Sequence, residues 1–134
     1  MTYPRFIHHG GASGVTGSCH QLVANAEHSL LIDCGLFQGE DTRLDDFEQL
    51  QVKFDLSTLQ ALVVTHVHID HIGRLPYLLA AGFTGPILCS QPSAHLLPLV
   101  IEDALKIGFT RDAKIIEQFL AKVTSQLVPL DYKH

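Results

Sequence analysis

The sequence predicts an α/β fold, one sheet of short buried strands layered with helices. Three observations carry that prediction. Short apolar runs, LLID at 30–33, ALVV at 61–64 and PILC at 86–89, are continuous rather than alternating, as in strands covered on both faces. In the second half, apolar residues recur at helical spacing, first Leu97, Ile101, Ala104 and Leu105, then Ile115, Ile116, Phe119, Leu120 and Val123. The 134 residues, 46% hydrophobic and 17% charged, suffice for one domain and leave no room for a second.

Each element follows from local chemistry. Residues 5–9 form a short apolar stretch that runs into the glycine-rich 10–18, GGASGVTGS, the layout of a strand entering a tight loop. Residues 19–26 and 29–33 are apolar runs on either side of the polar Glu27 and His28, a hairpin pattern. The more polar 35–54 reads as a surface loop with one short helix near 42–51, its acidic run around Asp45 being a solvated face. Residues 60–65, QALVVT, are the buried central strand. LPYLLAAG at 75–82 is a short helix, with Pro76 suited to an early position and Gly82 to the C′ end. Residues 86–89 form another short buried strand, and 93–107 a helix in which Pro98 must lie near the first turn or at a kink, with Gly108 as the stop. The clearest amphipathic helix is 111–123, with Thr110 as its N-cap.

Composition excludes several functions. High hydrophobicity argues against disorder, no apolar run approaches the roughly 18 residues of a membrane span, and the first ten residues lack a signal-peptide layout. A cytoplasmic location without membrane contact is the expectation. The net charge of -5, with basic residues scattered singly, is not the footprint of a protein that grips nucleic acid through its own surface. Cys19, Cys34 and Cys89 form no CxxC pair and read as small buried hydrophobes. The glycine loop lacks the GK[ST] of a nucleotide site, and Ser13, Ser18 and Cys19 have no base at usable spacing.

Histidine is the informative residue. Nine occur, and His66, His68 and His71 fall with Asp70 within six positions, immediately after the central strand. Side chains two apart in an extended segment point the same way, so His66 and His68 aim at one point. As the chain turns into a helix, Asp70 and His71 are redirected toward a second point nearby. Zinc takes imidazole nitrogen and carboxylate oxygen at about 2.0 to 2.2 Å, and two ions about 3.5 to 4 Å apart form a hydrolytic clamp. A two-metal site is therefore expected, since a buried cluster of unpaired titratable groups would cost several kcal/mol. His8, His9, His20, His28 and His95 have no ligand partner at usable sequence spacing and read as ordinary surface or core histidines.

HVHIDH at 66–71 resembles the HxHxDH signature of the metallo-β-lactamase superfamily. GGASGVTGSCHQL, LLIDCGLFQG, VVTHVHIDHIGRLPYLLAAGFTGPI and LLPLVIEDALKI resemble the opening of its RNA-processing beta-CASP branch, over about residues 6–107. The resemblance implies the N-terminal half of an αβ/βα four-layer sandwich, with two zinc ions in the complete enzyme. Carried over by position, it implies that His66 and His68 bind one zinc and that Asp70 and His71 bind the other. Asp33 matches the family's strand-terminal aspartate, placed to fix a histidine tautomer. The implied activity is phosphodiester hydrolysis in RNA, with Asp70 as the catalytic residue that binds metal and orients the attacking hydroxide.

Length is where the chain departs from that family. A later Gly-His motif, a bridging aspartate, a distal histidine and the large inserted domain are not recognisable, and the sequence closes on Tyr132-Lys133-His134. The expectation is a partial domain over 1–134, with an open sheet face that associates with itself or with a C-terminal half. Two alternatives stand beside the RNA nuclease. One is a non-catalytic fragment that binds metal weakly, the other a hydrolase of the same fold acting on thioesters or other small substrates.

Overall fold

A computed structural model describes residues 3–10, 18–35, 54–108 and 110–130. Six strands form one mixed sheet in sequence order: β1 (Arg5–Gly10), β2 (Cys19–Val23), β3 (Ser29–Ile32), β4 (Leu59–Val63), β5 (Ile87–Ser90) and β6 (Leu127–Leu130). β1, β2 and β3 are antiparallel neighbours, whereas β3 to β6 run parallel. The described helices are α1 (Ile69–Ile72), α2 (Leu75–Ala80), α3 (Gln91–Gly108) and α4 (Ala113–Gln126).

Turn chemistry sets the connections. Between β2 and β3 the Asn25 carboxamide oxygen accepts the Glu27 N–H at 2.9 Å, and the His28 carbonyl accepts from Ala24 and Asn25. α2 ends as its sequence predicts. Gly82, at φ 110, places its N–H 3.1 Å from the Leu79 carbonyl while Phe83 reaches back to Leu78, the paired bonds that close a helix with a left-handed residue. Gly85 is required for another reason: a Cβ there would lie 2.8 Å from the Gln60 carbonyl oxygen.

The core lies on one face of the sheet. Leu31, Leu62, Ile87 and Cys89 meet Leu75, Leu78, Leu97, Ile101, Leu105, Ile116 and Val123 from the helices. Strand pairing places Phe6, His8, His20, Leu22, Leu30, Ile32, Val63, Leu88, Val128 and Leu130 on the opposite face, which carries no Asp, Glu, Lys or Arg. Phe6 is 57% exposed and Leu130 49%, β2, β3 and β5 alternate between buried and half-buried residues, and the small Ala61 of β4, opposite Leu30, is buried on this face. Among the described residues no helix covers this second face. The continuous apolar runs that predicted double coverage thus supply Leu30, Ile32, Val63 and Leu88 to an open surface.

The structure corrects several expectations. The N-cap of α4 is Asp112, whose carboxylate accepts the Lys114 N–H at 2.9 Å, while Thr110 caps the preceding turn by accepting from the Asp112 N–H. α4 continues to Gln126 and passes directly into β6, a strand hidden by its brevity and by Pro129, which an edge strand tolerates. Ile115, assigned to the apolar face, is 37% exposed because the buried stripe runs through Ile116 and Val123. α3 starts at Gln91, where the Ser90 hydroxyl accepts the Ser93 N–H, so Pro98 lies inside the helix. The expected helix near 42–51 and the glycine loop at 11–17 lie outside the described residues.

Parallel pairing positions the site. β3 and β4 end at the same edge of the sheet, the side where open α/β sheets receive ligands. The Asp33 N–H donates to Val63, the Cys34 N–H to the His71 carbonyl at 2.7 Å, and the Arg74 N–H to the Cys34 carbonyl at 2.9 Å. Residues just beyond β3 are thereby tied to the segment carrying the histidines.

Candidate metal centre

Asp33 organises this end of the sheet. It is 2% exposed and sits at φ 62, a left-handed conformation that aspartate tolerates better than most residues. That backbone turn aims the carboxylate at the end of β4. One oxygen accepts the Thr65 backbone N–H at 2.8 Å, and the other accepts the Thr65 hydroxyl at 2.7 Å and His71 Nδ1–H at 2.7 Å. Ser18 adds a longer contact of 3.5 Å.

Proton bookkeeping then fixes two imidazoles. An ionised carboxylate only accepts, so His71 donates from Nδ1, and the neutral ring then has its lone pair on Nε2. The single Thr65 hydroxyl proton goes to Asp33, so at its 3.2 Å contact with His66 Nδ1 the threonine oxygen accepts, and His66 takes the same tautomer. The His66 ring centroid lies 3.7 Å from that of His71 and 5.1 Å from that of His68. The His68 carbonyl accepts the N–H groups of His71 and Ile72, so the histidine segment closes on itself through α1.

The site residues predicted from sequence therefore fall as follows. His66, His68 and His71 come together at the β4 end with Asp33 behind His71. Asp70 is in α1, and its side chain is not among the described residues. No three described His, Cys, Asp or Glu side chains converge closely enough to hold an ion. Imidazoles whose tautomer puts the lone pair on Nε2 are nonetheless the donor type zinc takes, so the chemistry of the set fits such an ion.

Sequence reasoning missed Thr65, which orients His66 and bonds Asp33, and Arg74, whose Nε donates 2.6 Å to the Gly35 carbonyl beneath the site. Nothing in the one-dimensional pattern marks a strand-terminal threonine as a tautomer switch. Cys19 and Cys34 also meet here. Their mutual hydrogen bond, reinforced by burial, pushes the Cys19 thiol well up, while the same bond lowers Cys34 against its own burial. A fourth feature lies on the open face: His8 and His20 sit directly opposite each other on β1 and β2, with their Nδ1 atoms 2.8 Å apart.

Fold and histidine cluster together define the class: the chain belongs to the metallo-beta-lactamase superfamily, which matches residues 17–129. Its relatives are RNA-processing proteins of the beta-CASP branch. It is 39% identical over 103 residues to Ribonuclease TTHA0252 of Thermus thermophilus, covering 77% of this chain and 23% of that protein. It is 33% identical over 126 residues to Transcription termination factor FttA of Methanosarcina mazei, covering 92% of this chain and 20% of the factor. Integrator complex subunit 11 of Gallus gallus is 34% identical over 123 residues, 89% of this chain and 20% of the subunit. The chain thus spans about a fifth of the length of these relatives. No helix among its described residues is long and apolar enough to cross a membrane.

Proposed function

We propose that this chain carries the metal-holding segment of a zinc-dependent hydrolase that cleaves phosphodiester bonds in RNA in its complete form. The observation that carries the reading is the Asp33 carboxylate, which accepts from His71 Nδ1 and, through Thr65, sets the tautomer of His66, so that each neutral ring has its lone pair on Nε2. A ribonuclease among the relatives points to RNA. His66 and His68 would hold one zinc, and Asp70 and His71 the other. When bound, zinc supplies Lewis acidity toward a phosphoryl oxygen and lowers the pKa of water toward 7. Asp33 fixes tautomers, Thr65 transmits that constraint, and Asp70 orients the attacking group. The open sheet face along β3, β4 and β5 would be covered by further chain of the complete enzyme or by a second copy.

A second reading, weak metal binding without turnover by this chain alone, is favoured by its supply of two recognisable ligands per ion where a catalytic zinc takes three and water. One experiment addresses both. Calorimetry should detect zinc binding that is lost in a His66→Ala, His68→Ala double variant. This chain should hydrolyse single-stranded RNA little, because a misplacement of about 1 Å costs roughly 10²-fold. A longer chain, extended through the remaining ligands, should cleave RNA and lose that activity on Asp70→Ala. Zinc binding indifferent to the double substitution would overturn the ligand assignment. An extended chain that leaves RNA intact but opens a thioester would overturn the substrate.

A further inference from the structure

We infer that His8 and His20 form a second metal site, separate from the histidine cluster at the end of β4, that takes a divalent late transition ion of tetragonal preference, Cu2+ or Ni2+. The two residues are directly opposed across the antiparallel β1–β2 ladder, twelve positions apart in sequence. Their Nδ1 atoms are 2.8 Å apart, with His8 exposed and His20 half-buried. Two metal–nitrogen bonds of about 2.0 Å meeting at a right angle place their nitrogens about 2.8 Å apart, the spacing of adjacent corners in a square-planar site. A tetrahedral ion with the same bonds needs about 3.3 Å, so the pair favours copper or nickel over zinc.

The surroundings suit that role. The plane of Phe6 lies 4° from that of His8, which steadies the ring, and the His8 and His20 rings are perpendicular, with centroids 4.9 Å apart. Without metal, one imidazole donates its Nδ1–H to the other. Chelation needs both rings protonated at Nε2, a tautomer shift of one ring that releases no proton when both begin neutral. Water would complete the coordination, and the bound ion would pin the edge strand β1 to β2.

The test separates this site from the β4 cluster. In a His66→Ala, His68→Ala background, titration with Ni2+ should give one ion per chain, and His8→Asn or His20→Asn should each weaken it at least about tenfold. Cu2+ spectra of the same background should show splitting from two equivalent imidazole nitrogens, a readout that needs neither asparagine variant to fold. Absence of Ni2+ binding in that background, binding unaffected by either asparagine, or a copper signal with one nitrogen would each overturn the proposal. Zinc bound there more tightly than Ni2+ would overturn the geometric argument.

Discussion

The two faces of the sheet are built from the same kinds of side chain and have opposite fates. Leu31, Leu62 and Ile87 on one face are buried beneath α2, α3 and α4, whereas Leu30, Val63 and Leu88, their immediate neighbours in sequence, stay half-buried on the other. Hydrophobicity therefore does not decide burial here. What decides it is whether a helix of this chain is laid across, and both described long helices pack on one side. The uncovered face has the composition of a core without a partner layer.

The largest effect should separate the faces. Leu62→Ala removes a side chain from a packed core and should cost about 2 to 5 kcal/mol in denaturant unfolding, whereas Val63→Ala next to it should cost well under half as much. Val128→Lys on the same open face should leave unfolding nearly unchanged while shifting sedimentation toward the monomer. Equal losses at Leu62 and Val63 would mean that this face is covered after all.

The next effect tests the end where the helix-covered side reaches the histidines. Asp33→Ala leaves Thr65 and His71 without their acceptor and places alanine at φ 62, so zinc affinity should fall about 10- to 100-fold, with a stability loss of about 1 to 3 kcal/mol. Asp33→Asn tolerates the backbone and keeps one acceptor oxygen, so its losses should be smaller. Calorimetry and unfolding on both variants check the order; equal zinc affinity in the alanine variant would remove Asp33 from the site.

The smallest effect belongs to the histidine pair on the open face. Partial burial, then the neighbouring His8, lower the His20 pKa from its ordinary 6.5, against an opposing pull from Asp33. The unfolded chain then binds the proton more readily, so stability falls as pH drops below 6.5 and this contribution is absent above it. His20→Gln should flatten the difference in stability between pH 7 and pH 5 relative to the unsubstituted chain. An unchanged difference would assign the acid sensitivity to other histidines.

Several features could be read from residues alone because their chemistry is local. Pro76 and Gly82 bracket α2 through a missing donor and a left-handed backbone, and both work within one turn. His66, His68 and His71 are gathered by the geometry of one strand end and one helical turn, so their spacing carried the message. β6 was not legible in the same way: LVPL becomes a strand only because β5 is there to receive it. Thr65 is equally silent until its hydroxyl is seen between Asp33 and His66.

The sequence by itself determined the α/β class, the apolar runs, the histidine cluster and the family to which they belong, because each is written in periodicity or in a contiguous motif. The tertiary structure decided which face of each apolar strand is covered, which nitrogen of His71 and His66 carries the proton, and that His8 and His20 meet. Those outcomes depend on strand register and on hydrogen bonds between residues 12 to 38 positions apart. Separations of that size leave no periodic trace in the chain, and only folding turns them into contacts.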